Sequence, residues 1–489
     1  MSRKAEPEAV CQWRTSGSRC RLHERAARVR ERDTPRPPRL RRTPLPSDAG
    51  FLLPTVLMLR LLDGTPARVR LSRPLRWITQ ALLGRVVLLA ALLVGGASTA
   101  RAQAVPTLSD AARISMITVL PGNAVYTEFG HSALRVRDPV QDIDWLYSYG
   151  TFDFDDPLFV PKFTYGRLTY FLSVARAPGM LRFYERRQRP VIEQALALTS
   201  TQRRALFRFL QTNARPENRY YQYDFLFDNC STRIRDALET VLGDTLTFAP
   251  RPDLGTSFRR LLDPYVADRP LLDVGFDLAL GRPADQIATP YQTMFLPQHL
   301  LTAFAHASLS ADDGVRPLVT RTDTLVWMDG YDATEGVFDW PTALAWLVLA
   351  LTFAWTGWQY ARRRSPGRYA DAATFAAVGV IGLGLCFLWF ISEHTVTDMN
   401  WNLAWAWPTH LVAAFFLLRG SSATQRRLRR YLLVAGGVGF LIGAGWAWWP
   451  QDLHAAFQPL VLAVSARAVW RATFHHRAEN TSAFAPSIA

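Results

Sequence analysis

Cysteine and lysine are nearly missing from this chain of 489 residues. Of its four cysteines, Cys11 and Cys20 fall in an Arg- and Pro-rich leader and Cys386 in a long apolar run, so Cys230 stands alone between them. One cysteine builds no disulfide framework, and without a resolving partner a dithiol redox centre is disfavoured. His131, His299 and His306 lack metal-ligand spacing, and a Cys–His pair alone does not complete a zinc site, so no metal and no cofactor is expected. Lysine occurs only as Lys4 and Lys162; every other basic residue is arginine, a compositional bias as much as a phosphate-binding design. The surplus of positive charge is local. Residues 1–102 carry 20 Lys and Arg against 7 Asp and Glu, while the rest of the chain carries 36 against 34. Nucleic acid is therefore dropped as a main partner.

Arg85, the apolar run Val86 to Gly96 and the sequence Ala100-Arg101-Ala102 form a secretory signal, with cleavage expected after Ala102. The basic stretch before it is too long for an ordinary signal. Residues 1–57 are thus expected to be a non-native or disordered extension and residues 58–102 the signal peptide. An exported domain over 103–339 follows. From Trp340 on, five apolar segments (about 340–361, 372–391, 402–419, 431–449 and 455–474) each approach the length that crosses a bilayer as a helix. Arginines crowd the first and third loops between them, and the second and fourth loops have no Lys or Arg. The basic loops are expected inside, as is the tail 475–489, and the exported domain outside the inner membrane.

The exported domain mixes strands and helices. Ala133 to Arg137 alternates as a strand and Trp145 to Gly150 is its hairpin partner. Thr199 or Ser200 caps a helix, and Tyr220 to Phe227 is expected as an aromatic strand. After it, Ile234, Ala237, Leu238, Val241 and Leu242 recur at helical spacing up to Gly243.

Cys230 therefore opens an amphipathic helix capped by Asn229 or Asp228. The free N–H groups and positive dipole of a helix start favour a thiolate and lower its pKa. The N–H groups at Cys230 and Ser231, with Asn229, also suit an oxyanion. A lone cysteine is ordinarily a small buried hydrophobe and a lone histidine a satisfied polar residue. Here an unpaired exported thiol at a helix start, with His131 after Gly130 at a strand start, favours a nucleophile and its base.

The blocks Gly130-His131-Ser132-Ala133-Leu134-Arg135-Val136, Tyr149 to Phe154, Lys162-Phe163 with Gly166 to Tyr170, and Asn229-Cys230-Ser231-Thr232-Arg233 resemble the Lnb-type family. Asn400-Trp401-Asn402-Leu403-Ala404-Trp405 with Pro408 is similar to that family's membrane loop and third helix. The resemblance implies an α+β, circularly permuted NlpC/P60-like (papain-like) thiol-enzyme domain followed by an all-α five-helix transmembrane domain. It also implies Cys230 as nucleophile and His131 as base, in a lipoprotein acyltransferase that moves an acyl chain onto an N-terminal amine.

Supporting roles are expected of Asn229, Ser231, Ser132 and Lys162, with Tyr149 and Asp153 as candidates to orient His131. His394, Asn400 and Asn402 are loop candidates in the membrane part, and Arg135 is expected to face solvent. The expected partners are a membrane phospholipid or lipoprotein substrate and the bacterial inner membrane. Two other readings use the same residues: a cysteine peptidase or amidase of peptidoglycan, and a non-catalytic sensor or assembly module.

Overall fold

The computed structural model describes residues 107–483 except 154, 250–254, 312–313, 332–336 and 420–421. The extension expected at 1–57 and the signal peptide at 58–102 lie outside the described residues.

Alternating apolar residues build the frame of the first part. Strands β1 (Arg113–Val119), β2 (His131–Asp138) and β3 (Ile143–Thr151) form an antiparallel meander. Helix α1 (Phe159–Thr164), β4 (Thr169–Arg176) and α2 (Ala177–Arg186) follow, then β5 (Val191–Leu196), α3 (Ser200–Asn213), β6 (Tyr220–Gln222) and α4 (Cys230–Leu242). Strands β7 (Leu246–Thr247), β8 (Ser308–Ala311) and β9 (Gly314–Pro317) make a small second sheet. Helices α5 (Phe258–Val266), α6 (Pro270–Ala279) and α7 (Pro297–Ala305) lie between β7 and β8. With β10 (Val319–Val326) the main sheet has the order β10-β5-β1-β2-β3-β4-β6, all antiparallel.

Period-two alternation gives this sheet two apolar faces. Leu134, Val136, Tyr147 and Tyr149 pack under α3 and α4 in the larger core, whereas Ala133, Leu146, Val119 and Val191 pack with Ala177 and Tyr184 of α2. Helix α4 holds its place by burying Ile234, Ala237, Leu238 and Leu242. Each large side chain among them contributes about 2 kcal/mol of transfer free energy.

The aromatic strand expected over 220–227 is only three residues long. Asp224 ends it by accepting the N–H groups of Leu226 and Phe227, both at 2.9 Å, and its backbone pairs with Asp228, so the chain turns back before α4. Arg135 is also not a solvent residue. It chelates Asp144 at 2.7 and 2.8 Å and reaches Glu193 at 3.3 Å, because the adjacent strands place acids on its face.

The second part is helical: α8 (Trp340–Ala361), α9 (Arg368–Phe390), α10 (His410–Arg419), α11 (Ser422–Ala444) and α12 (Phe457–Ala483). Helices α8 and α9 meet the length and apolarity of a membrane span outright. The last helix continues past the boundary expected at 474. The third segment is not one helix: Trp401–Ala404 is a 3-10 turn and regular helix begins only at His410. Pro408 clashes with a continuous helix, Asn400 Oδ1 captures the Asn402 N–H at 3.0 Å, and Asn402 Oδ1 takes the Trp405 indole N–H at 3.1 Å. Gly379 and Gly382 of α9 admit this irregular backbone, since a Cβ at either would overlap the main chain of Leu411 or Ala406.

Candidate active site

Asn229 fixes the start of α4. Its Oδ1 accepts the N–H of Ser231 at 2.8 Å and of Thr232 at 3.0 Å, and Thr232 Oγ1 returns a bond to the Asn229 N–H at 2.8 Å, closing a capping box. The Asn229 amide donates to the carbonyls of Phe225 and Phe295. All of its capacity is spent on structure. Asn229 is therefore not free to hold an oxyanion, contrary to expectation, and the Ser231 N–H is shared with its Oδ1; the Cys230 amide remains.

Cys230 is the first residue of the helix and is 8 % exposed. Its Cβ lies 3.4 Å from the Cβ position of Gly150, where Tyr223 and the Tyr221 hydroxyl also converge. Gly150 has φ +79°, so only glycine fills that position without strain. The ladder between β2 and β3 begins at Leu134–Tyr147, leaving His131 to Ala133 outside it. The thiol sits at this open end, with Ser231 Oγ 4.0 Å from the sulfur. Ser132 and Ser231, both fully buried, join strand to helix through their hydroxyls at 3.0 Å.

His131 starts β2 on the other face, with Ala133 and Arg135. Its Nε2 lies 2.6 Å from Ser148 Oγ. The imidazole and the thiol-bearing helix thus approach the first two residues of β2 from opposite faces, and no hydrogen bond joins the ring to the sulfur. Ser148, which sequence reasoning missed, holds the ring. Tyr149 does not: it faces α4, edge-on to Tyr221 at 6.4 Å, and burial pushes its phenol up to about 12. Asp153 is exposed and accepts the Asp155 N–H at 2.9 Å.

Burial dominates the electrostatics. It pushes the Cys230 thiol above its ordinary value, outweighing the nearby N–H groups of Ser132, Ser231 and Cys230 and the Ser231 hydroxyl that act against it. The expected low thiol pKa is therefore reversed. Burial also lowers His131 to about 3, and the nearby Arg189 guanidinium adds to the effect. The resting pair is a neutral thiol and a neutral imidazole.

Lys162 lies in α1 and pairs with Asp156 at 2.5 Å, away from the sulfur. The three loop candidates tie the two parts of the chain together. His394 Nε2 is 2.6 Å from the Phe163 carbonyl, Asn400 donates to the carbonyls of Leu278 and Ala279, and Asn402 to those of Asp277 and Leu278. Arg167 and Glu393 add an ion pair at 2.7 Å.

A continuous aromatic surface links this junction to the thiol. Tyr223 beside Gly150 stacks on Tyr170 at 4.3 Å, Tyr170 meets Phe152, Phe152 stacks on Phe159, Phe159 on Phe163, and Phe163 meets His394. Next to it Leu158, Val160 and Phe163 are exposed, and Tyr165 packs edge-on to Phe387 of α9 at 4.9 Å.

Two family models match: the Lnb N-terminal periplasmic domain over residues 105–263 and the Lnb transmembrane domain over 333–479. Among curated proteins, heme A synthase of Hyphomonas neptunium (strain ATCC 15444) is 33 % identical over 139 residues, covering 26 % of this chain and 38 % of that protein. The chain thus spans well under half the length of that relative. No solved structure matches the chain.

Proposed function

We propose, from the premise that the chain belongs to the Lnb-type family and joins a periplasmic domain to a transmembrane one, that it is a membrane-bound thiol acyltransferase. Its α+β domain is read as a permuted NlpC/P60-like thiol enzyme on the outer side of the bacterial inner membrane, over five membrane-crossing segments. The observation that carries this reading is the thiol at the first residue of a capped helix, set at the open end of β2, where its neighbour Ser231 bonds to Ser132, the residue after His131.

His131, through the nitrogen that Ser148 leaves free, takes the Cys230 proton as the sulfur attacks an ester carbonyl. The ring turns toward the gap between β2 and β3 to do so. The ester C–O bond breaks, the leaving alcohol takes the proton from the imidazolium, and a thioester remains on Cys230. An amine then attacks the thioester, an amide forms, and the thiol regains its proton through His131. The Cys230 amide stabilises the oxyanion in both steps, with the Tyr221 hydroxyl as second donor.

The aromatic surface from Phe387 to Tyr223 supports a lipid substrate, because it offers an acyl chain an apolar route from a membrane helix to the sulfur. Mass spectrometry of the full chain with native lipids tests the reading: an acyl adduct is expected on Cys230 and none in Cys230→Ala. A peptide-derived adduct would instead select the peptidase, and activity surviving Cys230→Ala the non-catalytic module.

A further inference from the structure

Arg189 breaks a rule that the other buried arginines keep. Among the described residues, Arg235 has Asp236 at 2.8 Å, Arg259 has Asp277 at 2.7 Å and Asp285 at 2.8 Å, and Arg467 and Arg471 share Asp371 at 2.8 and 2.6 Å. Arg189 is 7 % exposed and has no carboxylate of the described residues within ion-pair distance. Its Nε and Nη2 both donate to the Leu120 carbonyl, at 3.1 and 3.0 Å. The groups around it are phenols and a thiol: Tyr184, with its ring 5.7 Å away, Tyr126, Tyr331 and Cys230. A full charge taken out of water without a counter-charge is costly and calls for an anion.

The location says whose anion. Val119 of β1 pairs with His131 on one side and with Val191 on the other, and Arg189 precedes Val191 by two residues. The Leu120 carbonyl under the guanidinium is one step past that row, at the same end of the sheet as the imidazole and the thiol. The loop is shaped around the side chain, since a Cβ at Gly122 would come 2.8 Å from Arg189 Cδ.

We propose that Arg189 is the anion receptor of this site and takes the phosphodiester of a glycerophospholipid acyl donor, setting the neighbouring ester at Cys230. The inference rests on the acyl-transfer reading and narrows its donor. A planar guanidinium matches a phosphate's oxygens, and the aromatic route to the membrane favours a lipid over a peptide.

The test uses the full chain in detergent as Cys230→Ala, which binds without reacting, titrated with dihexanoylphosphatidylglycerol and with dihexanoylglycerol below their micellar concentrations. Tryptophan fluorescence and thermal shift read the binding. The phosphodiester compound is expected to bind about tenfold or more tighter than the neutral one. Adding Arg189→Gln abolishes the difference, while Arg189→Lys, which keeps the charge, retains part of it. Equal binding of both compounds to Cys230→Ala, or a preference that survives Arg189→Gln, overturns the proposal. An Arg189-dependent preference for a peptide carboxylate with none for the lipid overturns it in favour of a peptide substrate. If Arg189→Gln does not fold, loss of all preference in a folded Arg189→Lys likewise overturns it. Because binding is read without the thiol, an unacylated Cys230 in the wild type defeats the acyl-transfer reading separately.

Discussion

Nε2 of His131 lies 2.6 Å from Oγ of Ser148, on the face of the sheet turned away from the Cys230 helix. A ring held through one nitrogen presents the other in a fixed direction, and its tautomer follows from the same bond. Ser148→Ala should therefore lower the rate of Cys230 acylation by about tenfold to a hundredfold, a fraction of what a general base contributes. KM should change little, because Ser148 acts through the His131 ring. Unchanged single-turnover kinetics would remove Ser148 from the machinery.

The neutral resting pair predicts an unusual pH profile. With His131 held near 3 and the thiol raised, neither group changes charge between pH 5 and 7.5, so acylation should be level across that window. Alkylation of Cys230 by iodoacetamide should climb only in alkaline solution. A thiolate–imidazolium pair would instead alkylate readily near pH 5. Stability carries the same signature with a definite sign. The unfolded chain protonates His131 near its ordinary value and the folded chain does not, so stability is present above about 6.5 and is lost as pH falls toward 3. His131→Gln should remove that part of the acid dependence in melts at pH 4 and 7.

Asn229→Ala tests the cap. The variant loses the bonds to Ser231 and Thr232 and leaves the Phe225 and Phe295 carbonyls without their donor. A cap alone is worth about 1 kcal/mol, and buried unsatisfied carbonyls add to the loss, so about 2 kcal/mol or more is expected in thermal melts. Asn229→Asp keeps the cap acceptor but not the two donors, and should fall between.

Local signals made this cap readable in advance: Asn-Cys-Ser-Thr before apolar residues at helical spacing places a helix start whatever surrounds it. The His131 hairpin was readable for the same reason. Ser148 was not, because its relation to His131 depends on the register of two strands and on which face each residue takes. Arg189 carries no local pattern at all; only the fold reveals that its neighbours are phenols and a thiol. The thiol's acidity was misjudged because a helix start is legible in sequence and the burial that overrides it is not. The third membrane segment looked like a full helix by apolarity, although Pro408 and two asparagines already argued against one.

The junction of the two parts yields the last prediction. Gly281 donates to the Val396 carbonyl at 2.9 Å, and a Cβ at Gly281 would overlap the Asp398 carbonyl. The Asn400 and Asn402 amides hold the carbonyls at the end of α6. Gln451 donates to the Leu280 carbonyl at 2.9 Å and accepts the Trp401 N–H at 2.8 Å. These contacts are backbone-directed and close, so a methyl group at Gly281 should force the chain apart here and leave the β-sheet intact. Gly281→Ala is expected to open the 270–285 region to limited proteolysis and to slow acylation from membrane lipid. Reaction of Cys230 with a small soluble thiol reagent should stay unchanged. If both rates fall together, the junction supports the site itself. If neither falls, the domain does not depend on this contact to meet its lipid.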